Sequence, residues 1–461
     1  MGLLRLSARL VLLSALVGTT AWAEFTFYPY LQNLTDSSIV VRWETATMEP
    51  ALVEYGLSTE YGLSVTRTEP DTVHELVLTG LIPDTTYHYR VVAGPDSSPD
   101  AVFRSAPVRG WPVRFAVIGD TRTDSAAHQS VVDRLTACMP LPLVVLHTGD
   151  LTENASRAEY ETFFRVEQNL LSRVPLFPVP GNHDLGSMDN WYRFFVLPGN
   201  ERFYSVRIGN AAFHAVNVYE PFEPGSEQYS WLESELRADS ADSTIRHVFV
   251  SLHEPPYTTS AAHPSNLQVR EHLCPLFERF GVSIVFCGHI HAYEHSLANG
   301  VHYVTSGGGG APLHWDWLEP EPWTLFRLTC YEFVQVEVHH DSVFCQAVQP
   351  DGTVFDPFSC TVRKPGMVES RPKHVAQPVL EVTPSPARGI VRLVLRIVRT
   401  EPVRVSIHDV TGRTSVELLN RVLKPGEHRL DWTVPNLPSG LYRAILSWPE
   451  GSSSDQVVIV R

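Results

Sequence analysis

The sequence predicts a layered α/β sandwich flanked by two all-β sandwiches, and three observations predict it. Residues 24–107 and 379–461 read as short alternating strands between turn residues, residues 113–360 alternate continuous apolar runs with helical stretches, and residues 361–378 have no period at all. A chain of 461 residues is also long enough for about three ordinary domains.

The first 23 residues precede these segments and have a different build. Arg5 and Arg9 stand in and before an apolar stretch that ends in the small-x-small triplet Ala21-Trp22-Ala23. That is the pattern of a secretory signal peptide over residues 1–23, with a mature chain expected to begin near Glu24. The apolar stretch is short of the roughly 20 residues needed to cross a bilayer, and no later segment qualifies, so no transmembrane segment is expected. The expected location is secreted, at the cell surface or periplasmic.

A formal net charge of −15 speaks against general binding to nucleic acid or to an anionic membrane, both of which need a basic surface. An anionic substrate would then need a locally positive site, and a bound metal supplies one. Six cysteines in a chain bound for an oxidising compartment allow disulfides, but none stands in a C-x-x-C pair, which argues against a zinc knuckle.

The elements follow in order. In residues 24–107 the strand candidates are "SSIVVRWET", "ALVEYGLS", "VHELVLTGL" and "TYHYRVVAG". From 113 to 360 the apolar runs are "VRFAVI", "LVVLH", "LFPV", "AAFHAVNV", "HVFVSL", "VSIVFC" and "VHYVT", with helix candidates at 126–138, 157–172, 226–238 and 266–280. Strands apolar on both faces with helices between them make a layered α/β domain, whose functional residues sit just beyond strand ends. Residues 361–378 read as a linker, and 379–461 as a second β-sandwich.

Several strand ends carry the chemistry. They are "IGDTR" with Asp120, "TGDLTEN" with Asp150, "PGNHD" with Asn182 and His183, "SLHEPPY" with His253, and "CGHIHAYEH" with His289 and His291. Any one alone is weak, because a Gly-Asp after a strand is usually a turn. Together they offer carboxylate, amide and imidazole ligands, the set that hard and borderline cations prefer. Two metals about 3.5–4 Å apart can clamp both the attacking and leaving oxygens of a displacement at phosphorus.

In this order the motifs resemble the calcineurin-like metallophosphoesterases over about 113–310. Within them they resemble the purple acid phosphatase branch, through "GNHD", "GHIHAYEH" and the "VTSGGGGAPL" glycine loop. The resemblance implies a four-layer αββα sandwich, two metal ions (Fe, Zn or Mn) and a metal-bound hydroxide that attacks phosphorus. Asp120, Asp150 and His291 would hold one ion, and Asp150, Asn182, His253 and His289 the other, with Asp150 bridging. His183 matches the family's catalytic histidine, and His263 stands where the family places a substrate-facing one. His295, where the family pattern has Arg, would be a supporting or surface residue. "GLIPDTTYHYRVVAG" resembles a fibronectin type III module, in which the tyrosine packs at a sheet corner.

Two positions depart from the family. Arg122 stands where many members have a metal-binding histidine; it is a candidate phosphate clamp, with an ion pair to a nearby carboxylate as its alternative. Glu153 replaces the tyrosinate that colours the purple enzymes, so a purple protein is not expected, and Glu153 either binds metal or points away. The expected activity is that of a secreted acid phosphatase-like phosphomonoesterase. Its alternatives are a phosphodiesterase on nucleotides or phospholipid head groups, and a surface-binding protein on the same scaffold. The C-terminal segment, with "VSIHDVTGR" and "LPSGLYRAIL", resembles Ig-like modules of secreted bacterial proteins, including sorting domains, and implies a possible cell-surface attachment.

Overall fold

The computed structural model describes residues 25–94, 96–361, 379–383, 389–397, 400–408, 414–424, 426–434, 437–448 and 451–459. The expected signal peptide and all of the expected linker except Thr361 lie outside the described residues.

The N-terminal module is built on one long strand, Ser38–Gly56. The sequence reads it as two strands, because turn-like residues interrupt the apolar pattern at Thr45–Pro50. In the structure the chain continues through them as a bulge, with register shifts between Glu44 and Ala51 where Pro50 offers no N–H to the ladder. One half of this strand pairs with Phe25–Gln32 and the other with Thr86–Ala93, so the sheet turns without breaking. Tyr87 accepts the Ile82 N–H through its hydroxyl at 2.9 Å, the corner contact expected of it.

This module packs onto the next. Tyr30 Oη donates to the Phe194 carbonyl at 2.9 Å, Tyr89 Oη to the Ser172 carbonyl at 2.8 Å, and the Glu44 carboxylate binds Arg157 and Arg193. A single apolar cluster runs from Trp43 and Leu78 through Phe164 and Phe194 to Phe115, so the two modules share one core.

The central module has four layers. One sheet runs Tyr204–Ile208, Ala211–Ala215, His247–Ser251, Ile284–Cys287, Val301–Ser306, Tyr293–Ala298, Thr324–Leu328 in spatial order. The other runs Val354–Thr361, Ser342–Val348, Phe333–Val338, Val113–Ile118, Val144–His147, Leu176–Pro178. Phe115 of the second sheet meets Phe213, Phe249 and Phe286 of the first, so the sheets lie face to face. Strand alternation then decides the outer layers. Phe249 points to the inter-sheet core, whereas its neighbours Val248 and Val250 point outward, onto Leu232, Leu236 and Phe277 of the helices Glu227–Ala241 and Cys274–Phe280. The helices Ser125–Thr136 and Arg157–Leu171 cover the other sheet.

Local chemistry sets the helix boundaries. Asp124 caps Ser125–Thr136, and Ser156 with Glu159 forms a reciprocal capping box on Arg157–Leu171. The helix expected at 266–280 is two, Leu267–His272 and Cys274–Phe280, because Pro275 can only sit in a first turn. The strands Tyr204–Ile208, Tyr293–Ala298 and those from Thr324 to Thr361 were not predicted; their mixed polar composition hides the period until a neighbouring strand supplies the partner.

The C-terminal unit, described by itself, is a two-sheet sandwich. Val379–Thr383, Ile390–Ile397 and Gly426–Thr433 form one sheet, and Thr414–Leu423, Glu401–His408, Gly440–Trp448 and Gly451–Ile459 the other. Leu393, Val405 and Leu446 lie in the cluster the sheets share. Cys138, Cys274, Cys287, Cys330 and Cys345 are free thiols.

Candidate metal centre

The parallel strands of both sheets deliver the motif residues to one edge. Val113–Ile118 leads to Asp120, Val144–His147 to Asp150, Leu176–Pro178 to Asn182 and His183, His247–Ser251 to His253, and Ile284–Cys287 to His289 and His291. The sharp turn at these strand ends falls on the side-chain-bearing residue itself. Asp120, Asp150 and His289 adopt φ of 55°, 56° and 69°, in the left-handed region that costs a non-glycine residue about 1 kcal/mol or more. The neighbouring glycines serve close approach: a Cβ on Gly181 would stand 2.1 Å from Asp150 Oδ1.

The bend required between His289 and His291 is present. The Ile290 N–H bonds the Gly288 carbonyl at 2.8 Å and the Ala292 N–H bonds the Ile290 carbonyl at 2.6 Å, so the chain folds tightly on itself instead of running extended. His289 and His291 therefore share a face.

Backbone carbonyls set the tautomers of three imidazoles. Nδ1 of His253 donates to Thr148 O at 2.8 Å, Nδ1 of His291 to Pro312 O at 2.7 Å and Nδ1 of His183 to Glu153 O at 2.8 Å. Each Nε2 is left with its lone pair facing the centre, the arrangement a metal ligand or proton acceptor needs. Around His253 Nε2 stand Asn182 Oδ1 at 3.2 Å, His289 Nδ1 at 3.1 Å and Asp150 Oδ1 at 3.5 Å. His291 Nε2 stands 3.6 Å from Asp120 Oδ1, and ligand atoms of Asp120, Asp150 and His291 all lie within 4.8 Å of one another.

Electrostatics give the test of fit. Burial first, and then the Asp150 carboxylate beside it, pushes Asp120 well above the usual carboxylate range. Burial, together with the crowding of other histidines, brings His289 down to about 2 and, with His314 the nearest, His291 to about 3. Two buried carboxylates facing neutral imidazole lone pairs form an acceptor-rich pocket, which a multivalent cation relieves. The residues present fit a metal centre.

Comparison with known proteins assigns the scaffold. Residues 113–293 match the model of the calcineurin-like phosphoesterase family, and residues 27–105 match that of the purple acid phosphatase N-terminal domain. The centre lies in a calcineurin-like phosphoesterase domain. Probable purple acid phosphatase 20 of Arabidopsis thaliana is 31% identical over 245 residues, which are 48% of this chain and 55% of that protein. Purple acid phosphatase 15 of the same plant is 29% identical over 296 residues, covering 52% and 53%. The chain thus spans about half the length of both plant relatives. Acid phosphatase type 7 of Danio rerio is 24% identical over 419 residues, 76% of this chain and 93% of that protein. Among solved structures, purple acid phosphatase PPD1 from yellow lupin (Lupinus luteus) seeds superimposes with a TM-score of 0.64 at 21% identity, covering 72% of this chain and 74% of that one. PhoD superimposes with a TM-score of 0.59 at 14% identity, covering 75% and 91%. Both share the fold.

The phosphoesterase domain also answers what the sequence left open at its edge. Glu153 does not reach the ligand cluster as a free oxygen; it is paired with Arg122 and accepts the Thr123 hydroxyl at 2.8 Å. Arg122 is ion-paired with Asp150 as well, Nε to Oδ2 at 3.2 Å. His263 lies beside the centre, its ring 4.3 Å from that of His289, and burial lowers its pKa. Three of the four glycines, Gly307, Gly308 and Gly309, do not offer their N–H groups outward. Those of Gly307, Gly308, Gly309 and Ala311 are bonded to Ala292 O, the buried Glu332 carboxylate and the Gly119 and Asp120 carbonyls, and a Cβ on Gly307 would stand 2.0 Å from Ile290 O. The run lets this loop pack directly beneath the ligand turns.

His295 is neither on the surface nor a metal ligand. It is buried, with Nδ1 2.7 Å from Asp356 Oδ2, Nε2 2.9 Å from His302 Nδ1, and its ring on Phe358.

Sequence reasoning missed two residues. Asp184, the last letter of "PGNHD", is fully buried and accepts the N–H groups of Asp150 at 2.8 Å, Gly181 at 2.9 Å and Leu151 at 3.1 Å, tying two ligand turns together. Its place inside a recognised motif was a signal. His314 stacks on His291 with ring centroids 4.0 Å apart and on His263 at 4.9 Å; nothing in "APLHWDW" announces it.

Proposed function

We propose that this chain is a secreted, metal-dependent phosphoric-ester hydrolase of the acid phosphatase type, acting on phosphomonoesters with two ions held around Asp150. The observation that carries this reading is the convergence of Asp120, Asp150, Asn182, His253, His289 and His291 from separate strand ends, with their lone pairs facing one pocket. Fe, Zn and Mn all suit such an oxygen and nitrogen set. Bound ions there would neutralise phosphoryl charge and make water nucleophilic near neutral pH.

The chain's own residues supply the rest. His183 is held by the Glu153 carbonyl so that Nε2 faces the pocket, 3.9 Å from Asp150 Oδ2, where, once that nitrogen has taken up a proton, it can hand it to the departing ester oxygen. His263 and His314 form an imidazole wall beside the ligands, with donors for phosphoryl oxygens. Asp184 fixes the turns of Asp150 and Gly181, which keeps the ligand atoms in register during turnover.

The leader at residues 1–23 supports export, and the C-terminal sandwich supports a role in sorting or cell-surface attachment in a bacterium. Among the described residues no helix is long and apolar enough to cross a membrane. The test combines elemental analysis with hydrolysis of a nitrophenyl monoester and diester on the same sample, beside Asn182→Ala. Bound metal with monoester turnover lost in Asn182→Ala is the expected result. Faster diester hydrolysis would move the substrate class to phosphodiesters, and no metal with no turnover would sink the enzymatic reading.

A further inference from the structure

One half of the centre already holds a cation of the chain's own. Arg122 Nε donates to Asp150 Oδ2 at 3.2 Å and Nη2 to His291 Nε2 at 3.3 Å, while Nη1 closes on Glu153 Oε2. His291 Nε2 is the nitrogen a metal would need, because Nδ1 of that ring is committed to the Pro312 carbonyl. Guanidinium and metal therefore draw on the same lone pair. A guanidinium has donors only and never gives up its charge, so it cannot share these ligands with a second cation at contact distance.

Arg122 is also fixed in place. Its side chain is 14% exposed, and the Glu153 carboxylate that pairs with it is itself braced by the Thr123 hydroxyl. Asn182, His253 and His289, on the other side of Asp150, instead meet one another through Oδ1, Nε2 and Nδ1.

We propose that Arg122 competes with the metal ion of the Asp120–Asp150–His291 half, so that the centre fills in order. The Asn182–His253–His289 half binds first and tightly, and the half held by Arg122 binds second and weakly, only as the guanidinium leaves Asp150 and His291. The inference rests on the metal-dependent reading above and adds an unequal, regulated occupancy to it: available metal, and not the first ion alone, would set the active fraction.

Calorimetric titration of metal-stripped protein with Mn²⁺, with bound metal counted by equilibrium dialysis, tests it. Wild type should bind in two steps separated by more than about tenfold in Kd, and Arg122→Ala should tighten the weaker step by about tenfold or more. Arg122→Lys, which keeps the charge, should preserve the separation. Glu153→Gln frees the guanidinium without altering an expected ligand and should tighten the weaker step in the same direction, which covers the case of an unfolded Arg122→Ala. Equal affinities in wild type, or a weaker step untouched by both Arg122→Ala and Glu153→Gln, overturns the proposal. Asn182→Ala separates this failure from the larger one. If it abolishes the tighter step while the Arg122 and Glu153 variants change nothing, only the competition is wrong; if it changes nothing, the metal centre is wrong and the proposal falls with it.

Discussion

Two groups of histidines lie a few residues apart in the phosphoesterase domain, and they are built oppositely. In the group of His253, His289 and His291, backbone carbonyls occupy Nδ1 of His253 and His291, while Nε2 of His253 meets Asn182 Oδ1, Asp150 Oδ1 and His289 Nδ1, and Nε2 of His291 faces Asp120 Oδ1. In the group of His295 and His302, His295 spends one nitrogen on Asp356 and the other on His302, and Phe358 stacks on both rings. The first leaves lone pairs that ask for a cation, whereas the second is an internally satisfied network that closes a strand onto its neighbour. A cluster of histidines in a motif is thus no indication of function until the direction of each lone pair is known.

The comparison breaks most decisively at the ligands. His289→Ala should lower kcat/KM on a nitrophenyl monoester by more than about 10²-fold and reduce bound metal, since even residues that only support a ligand are worth 10–100-fold. Equal activity and metal content would place His289 with the structural group.

His183→Ala should lower kcat by about 10²-fold while metal content stays at the wild-type level, because its loss removes a proton donor and leaves the ligands intact. A leaving group that needs no proton should recover much of that rate, and its failure to do so would deny His183 the acid role.

His295→Ala should behave in the opposite sense. Removing the imidazole that the half-buried Asp356 and His302 both contact costs about 2 kcal/mol of stability, read from denaturant unfolding, while kcat/KM of the folded protein stays near wild type. A large loss of activity without a loss of stability would move His295 into the centre.

Away from both groups, a pH slope is expected from Glu332, the buried carboxylate beneath the glycine run. Burial raises it from 4.5 to about 8, opposed by the Gly308 N–H and Ser306 hydroxyl bonds. The native state then binds a proton the unfolded chain has released. Its stabilising contribution is full below pH 4.5 and falls as pH rises to about 8, by on the order of a few kcal/mol. Glu332→Gln should flatten this part of the stability profile, and an unchanged slope would show that Glu332 is already ionised in the native protein.

Much of the fold was legible because its signals are local. Continuous apolar runs such as "VRFAVI" and "HVFVSL" read as strands covered on both faces and are such strands, and the helices expected at 126–138 and 157–172 form at Ser125–Thr136 and Arg157–Leu171. The strands from Thr324 to Thr361 were not legible, since their alternation is diluted by polar residues and they exist through pairing: Thr324–Leu328 with Tyr293–Ala298, and the later ones with Val113–Ile118 and with each other. Likewise Ser38–Gly56 reads as two strands until the pairing carries it through the bulge. Asp184 and His314 act through backbone N–H groups and ring stacking, neither of which leaves a periodic trace.

The sequence by itself determined the inventory: which residues could bind a cation, that each follows an apolar run, and that the glycines beside them permit close packing. These are properties of residue type and nearest neighbours, and short-range sterics are enough to read them. Only the tertiary structure decided the assignments, because each depends on atoms distant in the chain. It placed His291 Nε2 and Asp150 on Arg122, held Glu153 away as an ion-pair partner, and closed His295 onto Asp356. Direction of a lone pair is a property of the folded neighbourhood, and the chemistry of this centre resides there.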